Sequence, residues 1–127
     1  MQIRKLNSSK VTQPAGGYAQ VCEVSGAQRL AFVSGQIPQS LDGKVPSTFD
    51  EQCRQVWRNI EAQLAAADMT FANLVKVPTF LSDRKYHLAN RTIRNKVLGD
   101  HSPALTVIIA DIFDSEWLLE IEAIAAA

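Results

Sequence analysis

The sequence predicts an α+β domain, a mixed β-sheet carrying two helices on one face. Two stretches place apolar residues at helical steps of three and four, and short β-branched and aromatic runs surround them. The elements fall in the order strands, helix, strand, helix, two strands, with no internal repeat and no low-complexity linker. At 127 residues the chain suits one domain.

Ile3–Leu6 reads as a short first strand. Gln13-Pro14-Ala15-Gly16-Gly17 then breaks regular structure. Tyr18–Val24 and Arg29–Ser34 read as strands joined through a turn at Gly26, a hairpin. Gly35–Pro46 is a loop with two prolines and an Asp42-Gly43 turn signal. Thr48, with Glu51 three residues on, has the form of a capping box. Phe49, Cys53, Val56, Ile60, Leu64 and Ala67 follow at steps of 4, 3, 4, 4 and 3, and Trp57 widens the stripe. A helix is therefore expected from Thr48 to about Asp68.

Leu74–Leu81 is a strand in which Pro78 cannot donate to a ladder, so an edge or a bulge is expected there. Ser82 or Asp83 can cap a second helix that runs to Leu98 and stops at Gly99. Its stripe is Tyr86, Ala89, Ile93 and Val97. Arg84, Arg91 and Arg94 are expected on the opposite, solvated side, with Asn90 at the rim. Two last strands, Ala104–Ala110 and Trp117–Ala125, flank a polar break.

Thirteen basic residues balance thirteen acidic ones, so the totals give no pull toward DNA, membranes or polyanions. Cys22 and Cys53 fall in no metal-ligand spacing and make no disulfide framework, so a reducing compartment is expected. Both read as small buried apolar groups. MQIRKLNSSK lacks the apolar core of a signal peptide. No apolar run approaches the roughly 18–20 residues of a membrane span. The expectation is a cytoplasmic protein with no membrane partner and no metal site.

Two features ask for explanation. Leu105–Ala110 and Ala31-Phe32-Val33 are apolar on both strand faces, whereas a sheet with one wet face alternates. Two helices cover one face, and self-association is the simplest cover for the other. Glu120 and Glu122 sit inside an apolar strand. Each either reaches solvent on an open face or works in a pocket, where an apolar surrounding suits acid–base chemistry.

Five pieces now stand in order: Gly17-Tyr18-Ala19-Gln20, Val33-Ser34-Gly35-Gln36-Ile37-Pro38, Val75–Asp83, Pro103-Ala104 and Glu120–Ala125. On these the chain resembles the Rid family, also known as the YjgF/UK114 family. The resemblance implies a chorismate-mutase-like subunit assembled as a homotrimer. Three sheets form a central barrel, helices lie outside, and small-molecule clefts lie between subunits. It also implies hydrolysis of reactive enamines and imines, such as 2-aminoacrylate, to keto acids and ammonia, without metal or organic cofactor.

The resemblance assigns the cleft to Tyr18, Ser34, Gly35 and Asn90, with Glu120 as the catalytic carboxylate. Tyr18 would stack on a ligand or offer its hydroxyl, against ordinary packing. Asn90 would donate into the cleft, against a bond within the fold. The departure follows Pro-Ala. Deaminating members carry an Arg there that grips the substrate carboxylate, and this chain has Leu105; many carry Cys two residues on, and this chain has Val107. Losing one partner of a desolvated charge pair costs about 2–5 kcal/mol. Efficient 2-aminoacrylate hydrolysis is therefore not expected, and Leu105 and Val107 become an apolar wall. The alternative is a non-catalytic trimer that binds or senses a small metabolite. Some members are called ribonucleases, but no aromatic residues interleave Arg84, Arg91 and Arg94, so nucleic acid is not an expected partner.

Overall fold

Both apolar stripes become helices, and both bury against one mixed sheet in a computed structural model that describes residues 1–127. The elements are β1 Gln2–Leu6, β2 Val21–Ser25, β3 Leu30–Gln36, α1 Phe49–Ala66, β4 Leu74–Leu81, α2 His87–Leu98, β5 Ala104–Ile109 and β6 Leu119–Ala126. Single 3-10 turns stand at Phe71–Asn73 and Arg84–Tyr86. The main sheet has the order β3-β6-β4-β5; β4 and β5 are parallel, and the other pairs are antiparallel. The α+β class expected from the element order holds.

Thr48 caps α1 by accepting a hydrogen bond from the Glu51 N–H at 3.3 Å. The Glu51 carboxylate accepts from Arg54 instead of reaching back, so half of the capping box forms. Asp83, not Ser82, accepts from the Lys85 N–H, but it caps the 3-10 turn Arg84–Tyr86 that leads into α2, and α2 itself has no side-chain cap. Gly99, at φ +57°, ends α2. Phe49, Cys53, Val56, Trp57, Ile60 and Leu64 pack onto Leu74, Val77, Leu81, Leu119, Ile121 and Ala123. Each fully buried aliphatic side chain in this layer contributes about 1.5–3 kcal/mol. The Cys53 thiol is buried there, and burial pushes its pKa up to about 12, so it acts as an apolar group.

Three expectations change. The hairpin between the second and third strands does not form: β2 pairs with β1 as a separate ribbon, and β3 pairs with β6. Pro78 lies on an inner strand, not an edge. The register of β4 against β6 shifts between Leu74 and Lys76, and Pro78 stands opposite Thr106 of β5. Arg94 is buried rather than solvated.

Two connections position the rest. Gln52 is a buried polar residue of α1. It donates to the carbonyls of Pro46 and Glu116 and accepts from the Leu118 N–H at 2.8 Å, tying two loops to the helix. The Ala19 N–H donates to the Pro103 carbonyl, and Ala19 bridges Ala104 in parallel. That bridge holds Tyr18 beside the start of β5. The His101 imidazole, depressed in pKa by burial, sits between Lys5 and the Leu74 carbonyl and ties the ribbon to the sheet.

The sheet face away from the helices has no cover within the chain. Phe32, opposite Ile124, is 72% exposed, and Ile108, opposite Phe80, is 45% exposed. Apolar residues on both faces of β3 and β5 thus leave apolar surface open on the side away from the helices.

Candidate functional site

The site residues expected from the sequence fall into two groups in the single chain. Tyr18, Asn90, Leu105 and Val107 converge on one cavity of about 400 Å³. Ser34, Gly35 and Glu120 lie elsewhere, on β3 and β6.

In the second group, the register of β3 against β6 shifts between Val33 and Gln36. Ser34 and Gly35 therefore occupy a β-bulge, a device that re-aims side chains. The Glu120 carboxylate lies directly over the Gly35 backbone, where any Cβ would collide with it. Glu120 also stands opposite Phe80, and with Glu122 it lines a shallow depression next to Phe113. Both glutamates thus emerge on the face away from the helices, within the apolar stripe. Ser34 is exposed and lines a different depression, beside Phe32.

The first group owes its geometry to three elements. β5 supplies Leu105 and Val107 from one face at a spacing of two. α2 supplies Asn90, which is 2% exposed and makes no hydrogen bond through its buried Oδ1. The segment before β2 supplies Tyr18. Two arginines of α2 also line this cavity, Arg91 and Arg94. At about 100° per residue, Arg94 lies only about 40° round the helix from Asn90, not opposite the apolar stripe. The Gly16-Gly17 turn covers that flank. A Cβ on Gly17 (φ +76°) would collide with Asn95 and crowd the Arg94 guanidinium. The two glycines therefore let the backbone lie against α2.

Arg94 is 5% exposed, and its Nε has no partner. Its Nη2 donates to Asn95 Oδ1 at 3.3 Å. Burial, then the neighbouring Arg91 charge, lower its pKa from the ordinary guanidinium value, with Tyr18 opposing. Arg91 donates to the Ala15 carbonyl at 2.6 Å. No acidic residue lines the cavity. Neither arginine was a site candidate from the sequence. The signal that points to them is the Gly16-Gly17 pair, which marks a close backbone approach, together with the Asn90–Arg94 spacing of four.

A mixed sheet with two helices on one face and a cavity of polar and apolar lining at the β5 edge defines a class of α+β subunits. A profile of the family described as Endoribonuclease L-PSP matches residues 9–127. The chain is 32% identical over 119 residues to Protein MMF1, mitochondrial, of Saccharomyces cerevisiae, covering 93% of this chain and 81% of that one. A conserved Rid-family protein of Yersinia pestis, YyfB, superposes with a TM-score of 0.87 at 23% identity, and each chain is covered in full. A Thermotoga maritima protein described as a putative endoribonuclease superposes at 0.74 with 29% identity, covering 100% of this chain and 98% of that one. The chain belongs to this family, the Rid (YjgF/UK114) family.

Proposed function

We propose that the protein is a Rid-type hydrolase acting on the C=N or enamine bond of a small metabolite, in clefts between the subunits of a homotrimer. The observation that carries this reading is the cavity in which Tyr18, Asn90, Leu105 and Val107 converge. The uncovered sheet face supports closure of the cleft by a neighbouring copy, whose Ser34, Gly35 and Glu120 would complete it. Glu120 would take a proton from a water as its oxygen adds to the imine carbon, then return it to the nitrogen. Glu120 would then carry the hydroxyl proton of the adduct to the same nitrogen; the C–N bond breaks as the C=O bond forms, ammonia leaves, and a carbonyl remains. Ser34 and the Gly35 N–H would hold a polar ligand atom, and Tyr18 would pack on the ligand. The wall of Leu105 and Val107 disfavours 2-aminoacrylate, which has no apolar body to set against it.

The test is ammonia release by the purified protein from imines generated from a panel of L-amino acids. Acceleration is expected for at least one imine, and Glu120→Ala is expected to lower it about 10²–10⁴-fold. Failure to accelerate any of them would falsify the hydrolase reading. A second reading, a non-catalytic trimer that binds or senses a metabolite, is favoured by the lack of any carboxylate lining the cavity of the single chain.

RNA cleavage, suggested by the family description, finds little support. Arg94 is buried and Arg91 is tied to Ala15, so the three-arginine face is not assembled. A cytoplasmic site of action is part of the proposal, and its support is the pair of unbridged cysteines. The relative MMF1 is named mitochondrial, and no helix of this chain is long and apolar enough to cross a membrane.

A further inference from the structure

The geometry points to Arg94, backed by Arg91, as the anchor for a carboxylate on a ligand whose apolar body lies along Leu105 and Val107. The inference rests on the small-metabolite reading of this cavity and supplies the guanidinium that β5 lacks.

A guanidinium taken out of water without a counter-ion is strongly disfavoured. Arg94 is in that state. It is 5% exposed, its Nε is enclosed and unpartnered, and a neutral amide oxygen is the one group it bonds. The ion pairs of the chain join Arg4 to Glu23, Lys44 to Asp42 and Arg54 to Glu51, and neither Arg91 nor Arg94 takes part. The cavity that Arg94 lines holds a second arginine and no acid. Its field therefore favours an anion, and the planar guanidinium fork matches a carboxylate better than a point charge does.

Asn90 adds a second requirement. It lies one helical turn before Arg94, is 2% exposed, and its buried Oδ1 makes no hydrogen bond. Turning its amide over exchanges the unpaired acceptor for an unpaired donor, so either orientation leaves a buried polar atom for a ligand to satisfy. Across the cavity, Leu105 and Val107 offer only apolar surface. The ligand class that answers all three is a small carboxylate with a hydrogen-bonding group next to it and an aliphatic chain beyond. The anchor has moved from the strand to the helix, so the bound carboxylate lies at the α2 side of the cavity.

The test compares pentanoate, pentanamide and inorganic phosphate by isothermal titration of the full-length assembled protein at low salt. Pentanoate is expected to bind roughly 30-fold or more tightly than pentanamide, the loss typical of one removed partner in a desolvated charge pair. Phosphate, lacking an apolar body, is expected to bind more weakly than pentanoate. Arg94→Met should abolish the preference for pentanoate over pentanamide. Arg94→Lys, which keeps the charge and loses the fork, should retain only a small part of it. Arg84→Leu, on the exposed side, should leave it unchanged. The inference is overturned if pentanamide or phosphate binds as well as pentanoate, if pentanoate does not bind, or if Arg94→Met keeps the preference. The comparison of the three probes in the unmodified protein needs no variant to fold. A pentanoate preference without ammonia release supports the anchor and sinks the hydrolase. Ammonia release from the imine panel without a pentanoate preference does the reverse.

Discussion

Glu120 and Gly35 test the chemistry of single residues most directly. The atom that a Cβ at position 35 meets is the far end of the Glu120 side chain, which can swing aside. Gly35→Ala is thus expected to displace the carboxylate while leaving the sheet intact. Ammonia release should fall about 10²-fold, the usual cost of misplacing a catalytic group by about 1 Å. The thermal midpoint should barely move. Unchanged turnover would mean that Glu120 is not held in a working position by this contact. At this scale the sequence was informative where chemistry conflicts with pattern: a carboxylate inside an apolar strand marks itself. Arg94 gave no such signal. Arginines on helices are mostly solvated, and this one lies under the Gly16-Gly17 turn. That approach is a tertiary fact, and the amphipathic pattern of α2 does not contain it.

Elements read well where they depend on near neighbours and poorly where they depend on distant ones. α1 begins and ends close to where its cap and stripe place it, α2 ends at Gly99 but begins at His87 after a 3-10 turn, and β4 has the expected bounds. The β2–β3 hairpin fails because Gly26 fixes only a turn. Pairing is decided by β6, about ninety residues away, which takes β3 and leaves β2 to β1. Gln52 belongs with the distant effects. It reads as a polar position on a helix, yet its side chain holds Pro46, Glu116 and Leu118 together. Gln52→Ala leaves two carbonyls and one N–H without those partners, and each loss costs about 1–3 kcal/mol unless water enters. A total destabilisation of about 2–4 kcal/mol is expected by urea unfolding. Gln52→Glu should recover only part of it, because an ionised carboxylate accepts and cannot donate. A loss under about 0.5 kcal/mol in Gln52→Ala would show that the loops are held by other contacts.

At the scale of the molecule, the apolar sheet face and the divided site are one problem. The sequence offers the candidate residues as one set, and the single chain divides them: four share a cavity, and Ser34, Gly35 and Glu120 stand apart from it. A second copy seated on the uncovered face answers both, since that face carries Phe32, Ile124 and Phe80 together with Glu120. Phe32 is well placed for a test because it is 72% exposed in the single chain and lies outside the ligand cavity. Burying a charge at such a position without a partner costs several kcal/mol. Phe32→Asp is therefore expected to shift the protein from the proposed trimer to single chains, measured by size exclusion with light scattering. Its circular dichroism should stay that of the folded α+β domain, because Phe32 contributes nothing to the helix-side core. Ammonia release should be lost with the trimer, since Glu120 then meets no cavity. The preference for pentanoate over pentanamide should survive, because Arg94, Asn90, Leu105 and Val107 belong to one chain. Dissociated subunits that still release ammonia would place the whole reaction within one chain. An assembled Phe32→Asp variant would move the interface off this face.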